Sequence, residues 1–215
     1  MTDATALLRE PWEHFERQQR AGKFGIWVFL ASETLFFGAL MLTYAVCRVE
    51  HPEAFAAAGR ATNIWFGTIN TAILLTSSLT MAVASQAAAQ SERSRTLVLT
   101  CLGLTAALGL SFIVVKGFEY KEDIDKHLIP GAGFALSQAA AQLFYGLYWL
   151  VTGVHAIHLT IGIVLVVRLI VLGATRRIRL RENPEIEVTA LYWHLVDIIW
   201  IVLYPLLYLV GRSHG

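Results

Sequence analysis

The sequence predicts an all-α integral membrane protein, a bundle of five transmembrane helices. Three observations carry that prediction. The 215 residues are 56% hydrophobic and only 15% charged, whereas a soluble domain carries about a quarter charged residues. Mean hydropathy is +0.56. The charges are also clustered. No Asp, Glu, Lys or Arg occurs from Ala61 to Ser91, from Thr96 to Val115 or from Leu128 to Val167. Phe24–Cys47 holds one acid, Glu33, and Val188–Gly211 holds one, Asp197. A bilayer core takes about 20 apolar residues per helix, so these runs read as spans.

Met1–Lys23 is polar, with Arg9, Glu10, Glu13, Glu16, Arg17, Arg20 and Lys23. It lacks the apolar core of a signal peptide and is read as a cytoplasmic segment before a membrane domain over 24–211. The first span, 24–47, is expected to direct insertion. It ends at a charged loop, Arg48–Arg60, where Pro52 cannot continue the helix. The second span is 62–88. The short connection Gln90–Arg95 makes it an antiparallel neighbour of the third, 96–118. Gly117–Gly133 is the most polar stretch, and Pro130, Gly131 and Gly133 mark it as loop. The fourth apolar run, 137–167, is about 45 Å of helix and reads as one tilted span. The basic loop Arg168–Arg181 and Asn183-Pro184 follow it. The fifth span, 189–210, has Pro205 near its end.

Five spans put the termini on opposite sides. Eleven Lys and Arg fall on the N-terminal side and six on the other. The positive-inside rule therefore predicts a cytoplasmic N-terminus and an external C-terminus. Composition excludes a soluble enzyme, a disordered tail and a disulfide scaffold. Cys47 and Cys101 form no CxxC. A net charge of +1 excludes a strongly basic nucleic-acid binder.

Ionisable groups in hydrocarbon are costly and mark candidate sites. There are five: Glu33, His155, His158, His194 and Asp197. Helix rise places Glu33 about 14 Å, and His158 about 15 Å, from the same membrane face, so the two are matched in depth for sharing a proton. His194 and Asp197, at i and i+3, share a face and are expected to neutralise each other. His155 and His158 share a face as well. His-x-x-His admits a metal or haem reading, but two hydrogen-bonded structural histidines explain it as simply. Glu-x-x-His, the di-iron signature, does not occur. No metal site is expected. Trp193, Asp197, Trp200, Tyr204 and Tyr208 form a stripe that reads as packing and interfacial anchoring. Gly146 and Gly153 read as close helix contacts, and Gly162, on the face of His155 and His158, as a lipid or packing position. On these residues alone the chain lacks the ligands for redox chemistry and needs a partner.

Four segments together resemble subunit III of haem–copper terminal oxidases. WVFLASETLFFGALMLTY (Trp27–Tyr44) resembles that family's acid-bearing helix, and NTAILLTSS (Asn70–Ser78) its next helix. TGVHAIHLTIG (Thr152–Gly162) resembles its Thr-Gly-x-His-x-x-His signature. ALYWHLVDIIWIVLYPLLYLVG (Ala190–Gly211) resembles its closing Trp-His-x-x-Asp-x-x-Trp helix. The resemblance implies a non-catalytic subunit of a proton-pumping cytochrome c oxidase in aerobic respiratory electron transport. Such a subunit packs against catalytic subunit I, binds phospholipid, supports proton uptake and holds no haem or copper, which belong to its partners. Glu33 occupies the place of the family's carbodiimide-reactive carboxylate. The implied setting is a bacterial inner membrane. The longer members carry two helices ahead of the acid-bearing one, and only 23 residues precede Phe24 here. Lipid or another subunit is expected to cover that side. The same subunit of a quinol oxidase, or an accessory protein of a nitric oxide reductase system, are the alternatives. A small transporter relaying protons through Glu33 and His158 is a further one, but its paired repeats and broken helices are not visible.

Overall fold

The computed structural model describes residues 15–90, 95–136, 140–178, 184–209 and 212. Side chains are described from Phe24 onward. Six helices account for nearly all of them: α1 Phe15–Glu50, α2 Pro52–Ala61, α3 Ile64–Gln90, α4 Arg95–Asp125, α5 Ala141–Ala174 and α6 Pro184–Tyr208. There is no strand among the described residues. Five of the helices are long and apolar enough to cross a bilayer: Phe24–Glu50 within α1, then α3, α4, α5 and α6. In hydrocarbon a helix is the simple solution, because every backbone polar group is satisfied within the segment.

Two compact units divide the chain, Met1–Phe36 and Phe37–Gly215, with the boundary inside α1. The described part of the first is one helix that presents Phe24, Trp27, Val28 and Leu35 outward. Residues 15–23, expected to be a separate polar segment, continue that helix. Residues 1–14, and the charges Arg9, Glu10 and Glu13 among them, lie outside the described residues. The second unit holds the core. It presents apolar side chains outward as well, among them Trp65 and Val164, 72% and 61% exposed. Such side chains suit lipid rather than water as the surrounding solvent.

Where charge statistics suggest loops, helix often continues. Arg48–Arg60 was expected to be a loop, yet Pro52 starts α2. Proline at N1 gives up an N–H that has no partner there, and its fixed φ suits a helix start. Glu53 in the first turn and Arg60 in the last complement the dipole. Arg212 then caps α2 from the far end of the chain. Its Nη2 donates to the carbonyls of Gly59 (3.3 Å), Arg60 (3.1 Å) and Thr62.

α4 runs to Asp125, about two turns past the apolar run, and α5 runs to Ala174 into the expected basic loop. Both end alike. Leu128 N donates to Asp123 O at 2.9 Å and Arg177 N to Leu172 O at 3.0 Å, the six-to-one bond of a Schellman cap. His127 (φ 54) and Arg176 (φ 56) take the left-handed position where glycine is usual. Arg95, at the start of α4, caps the end of α5 through the carbonyls of Gly173 and Ala174, both at 3.0 Å. The two helices are therefore antiparallel. α3 meets α4 through Thr80 Oγ1 and Thr105 Oγ1 at 2.7 Å, and the expectation of neighbouring second and third spans holds. Residues 91–94, within their connection, and Ser137 and Val210, at the edges of expected spans, lie outside the described residues.

Candidate functional site

The seam between α3 and α6 is built from the aromatic stripe. Trp193 and Trp200 are both fully buried. Trp193 Nε1 donates to Ser77 Oγ at 3.2 Å and Trp200 Nε1 to Thr71 Oγ1 at 3.1 Å. Tyr204 shares a 2.8 Å bond with Thr68. Both indoles thus bury their area while satisfying their single donor. Small residues make room for them. A Cβ on Gly162 would stand 3.2 Å from the Trp193 ring. Gly146 and Gly153, expected to be close contacts, would meet nothing within 4 Å. The tight positions are Gly67, 2.9 Å from the Tyr208 ring, and Gly109, 2.8 Å from Trp193. Sequence offered no signal for these two, because a glycine's use depends on what crosses it.

The expected ionisable groups are spread along the helices. His194 Nδ1 bonds Ser78 Oγ at 2.8 Å. Asp197, 3% exposed, has no hydrogen-bond partner for either oxygen, and faces that same serine. The predicted mutual neutralisation of His194 and Asp197 is therefore not made, because Ser78 on α3 takes the imidazole instead. His155 lies buried between the rings of Phe112 (5.7 Å) and Trp200 (5.0 Å), and neither nitrogen is hydrogen-bonded. His158 Nδ1 bonds the Val154 carbonyl at 2.8 Å, and its ring packs edge-on against Phe37 at 5.3 Å. The two histidines thus have different surroundings. Among the described residues no three His, Cys, Asp or Glu are grouped to hold a metal ion. Glu33 lies half-buried on the α1 segment of the first unit.

The densest polar cluster uses residues that the sequence assigned to a loop or left aside. It sits where the extra turns of α4 meet the start of α5 and the end of α6. Lys116 Nζ donates to Glu119 Oε2 (3.0 Å), Tyr148 OH (3.0 Å) and Tyr208 OH (2.8 Å). Tyr208 OH donates to Glu119 Oε1 at 2.6 Å. Tyr148 OH lies 2.8 Å from Glu119 Oε1 and 3.0 Å from Asp123 Oδ2. The ammonium also stands over the rings of Tyr148, Tyr120, Tyr208 and Trp200, 4.6 to 5.7 Å from their centroids. Lys116, Glu119 and Asp123 are 2%, 1% and 4% exposed. Lys116 and Glu119 are i, i+3 and Asp123 a further turn on, so one face of α4 carries all three. That spacing was the available signal; the end of the apolar run at Phe118 concealed it.

Comparison with known proteins places the sequence in one family. The family model described as cytochrome c oxidase subunit III covers residues 10–212. Cytochrome c oxidase subunit 3 of Thermostichus vulcanus is 31% identical over 191 residues, 87% of each chain. Cytochrome bo(3) ubiquinol oxidase subunit 3 of Pseudomonas aeruginosa is 30% identical over 188 residues, 87% of this chain and 84% of its own. A probable quinol oxidase subunit 3 of Staphylococcus epidermidis is 27% identical over 197 residues, 90% of each. With the family match running nearly end to end across all five spans, the chain belongs to the cytochrome c oxidase subunit III family.

Proposed function

We propose that the chain is the non-catalytic third subunit of a haem–copper terminal oxidase in a bacterial inner membrane, oriented with its N-terminus in the cytoplasm. The family match across residues 10–212 carries this reading. In it, the chain packs against catalytic subunit I and stabilises it during turnover, supports its proton uptake and binds phospholipid on its outward apolar faces. Haem and copper belong to the partner subunits.

Cytochrome c is the proposed electron donor of the complex. A quinol donor is the second reading, favoured by the printed names of the Pseudomonas and Staphylococcus relatives. Glu33 is proposed as a proton-linked carboxylate, paired through matched sequence depth with His158.

The test is a strain lacking this chain, with its membranes compared to those of the complemented strain. The initial rate of oxygen reduction is expected to survive, while activity decays faster during turnover. Complete and immediate loss of oxygen reduction in an assembled oxidase would assign this chain a catalytic role. An unchanged decay would remove the protective one. Supplying reduced cytochrome c or a quinol to the same membranes separates the two donors.

A further inference from the structure

The cluster at the end of α4 contains more hydrogen-bond contacts than its hydroxyl hydrogens can fill. Lys116 has three N–H groups, and three oxygens receive them: Glu119 Oε2, Tyr148 OH and Tyr208 OH. Each phenol oxygen is then an acceptor with one hydrogen left to give. Tyr208 gives its hydrogen to Glu119 Oε1. Tyr148 has two acceptors in reach, Glu119 Oε1 at 2.8 Å and Asp123 Oδ2 at 3.0 Å, and one hydrogen between them. One contact therefore lacks a hydrogen unless a carboxyl supplies it. Glu119 faces the ammonium directly, with its Oε2 3.0 Å from Lys116 Nζ. Asp123 makes no contact with that nitrogen within hydrogen-bond distance.

We propose that this cluster is a proton-binding site, with the proton carried on Asp123 and donated to the Tyr148 oxygen. Tyr148 then gives its own hydrogen to Glu119, and every contact is filled. The charges balance too. One ammonium and one carboxylate make a neutral buried group, whereas two carboxylates would leave an unpaired charge in a site at most 4% exposed. Among the described residues, the cation near Asp123 besides Lys116 is Lys126, and Glu122 pairs with it. Tyr148 and Tyr145 face Asp123 from α5, and Tyr208 faces it from α6. On α4 itself Glu119, Lys116, Tyr120 and Lys126 are near, and Lys126 is paired with Glu122 at the surface. α3 carries no charged residue. Asp123 lies beyond the apolar run that ends at Phe118, one turn from the partly exposed Glu122–Lys126 pair. The proton therefore has a short path to the aqueous phase at that end. This inference is independent of the proposed function.

Infrared difference spectra of the full chain in detergent at neutral pH test it. Asp123→Asn is expected to remove one protonated-carboxyl carbonyl band, and Glu119→Gln to remove carboxylate bands only. Asparagine keeps an N–H for Tyr148, so Asp123→Asn should unfold at nearly the wild-type temperature. Loss of carboxylate absorption in Asp123→Asn, with no carboxyl band lost, would overturn the proposal. Should Asp123→Asn fail to fold, Asp197→Asn chain labelled with carbon-13 at its aspartate carboxyls gives the same reading. An isotope-shifted carboxyl band that remains supports the site, and its absence overturns it.

Discussion

A methyl group added at Gly109 would stand 2.8 Å from the Trp193 ring and 3.0 Å from Ile163. Both neighbours are buried side chains in a packed seam, so neither can move away without opening space elsewhere. Gly109→Ala is expected to destabilise the chain by about 1–3 kcal/mol through overpacking. Gly146→Ala meets nothing and, inside α5, is expected to be neutral or to stabilise by up to about 1 kcal/mol. Thermal unfolding of the two variants checks the contrast, and equal midpoints would refute it. Glu33→Gln belongs to the same scale. If Glu33 supports uptake without touching oxygen chemistry, initial oxygen reduction persists and the active lifetime shortens. In a double-mutant cycle on subunit retention, Glu33→Ala with His158→Ala should harm less than the two singles added; strict additivity would end the pairing. At this scale the sequence was only partly informative. Trp193 and Trp200 are both fully buried in the seam between α3 and α6. The partner of His194 was not legible, because Ser78 comes from a helix more than a hundred residues away.

Helices were legible as apolar runs, and their ends were not. A charge count marks where hydrocarbon stops. A helix continues past that point when its polar side chains find partners, and α4 does so through Lys116, Glu119 and Asp123. The result ties three elements together, with α4 supplying the charges and α5 and α6 the phenols. Removing one member of this buried pair strands the other, which costs about 3–5 kcal/mol, while removing both costs less. Glu119→Gln and Lys116→Met should each lower the unfolding temperature markedly, and the double variant should recover part of the loss. Pro52 was read for what it ends and equally marks what it begins. The N1 position and the alanines after it were the available signs of α2.

For the whole molecule, the number of spans and their order followed from composition, because few structures can satisfy a backbone in hydrocarbon. Orientation rests on the eleven-to-six asymmetry of Lys and Arg. A reporter fused after His214 is expected outside the cytoplasm; a cytoplasmic signal would reverse the topology or change the parity of the spans. Function was legible only through resemblance. Every proposed role of the chain depends on its membership of a terminal oxidase complex. The most direct measurement is purification of the tagged full-length chain from its native membrane in mild detergent, with an optical spectrum of the product. A haem-bearing oxidase subunit is expected to copurify, and the redox-sensitive absorbance to travel with it. Recovery of this chain without any haem-bearing partner, under conditions that keep the oxidase intact, would contradict it.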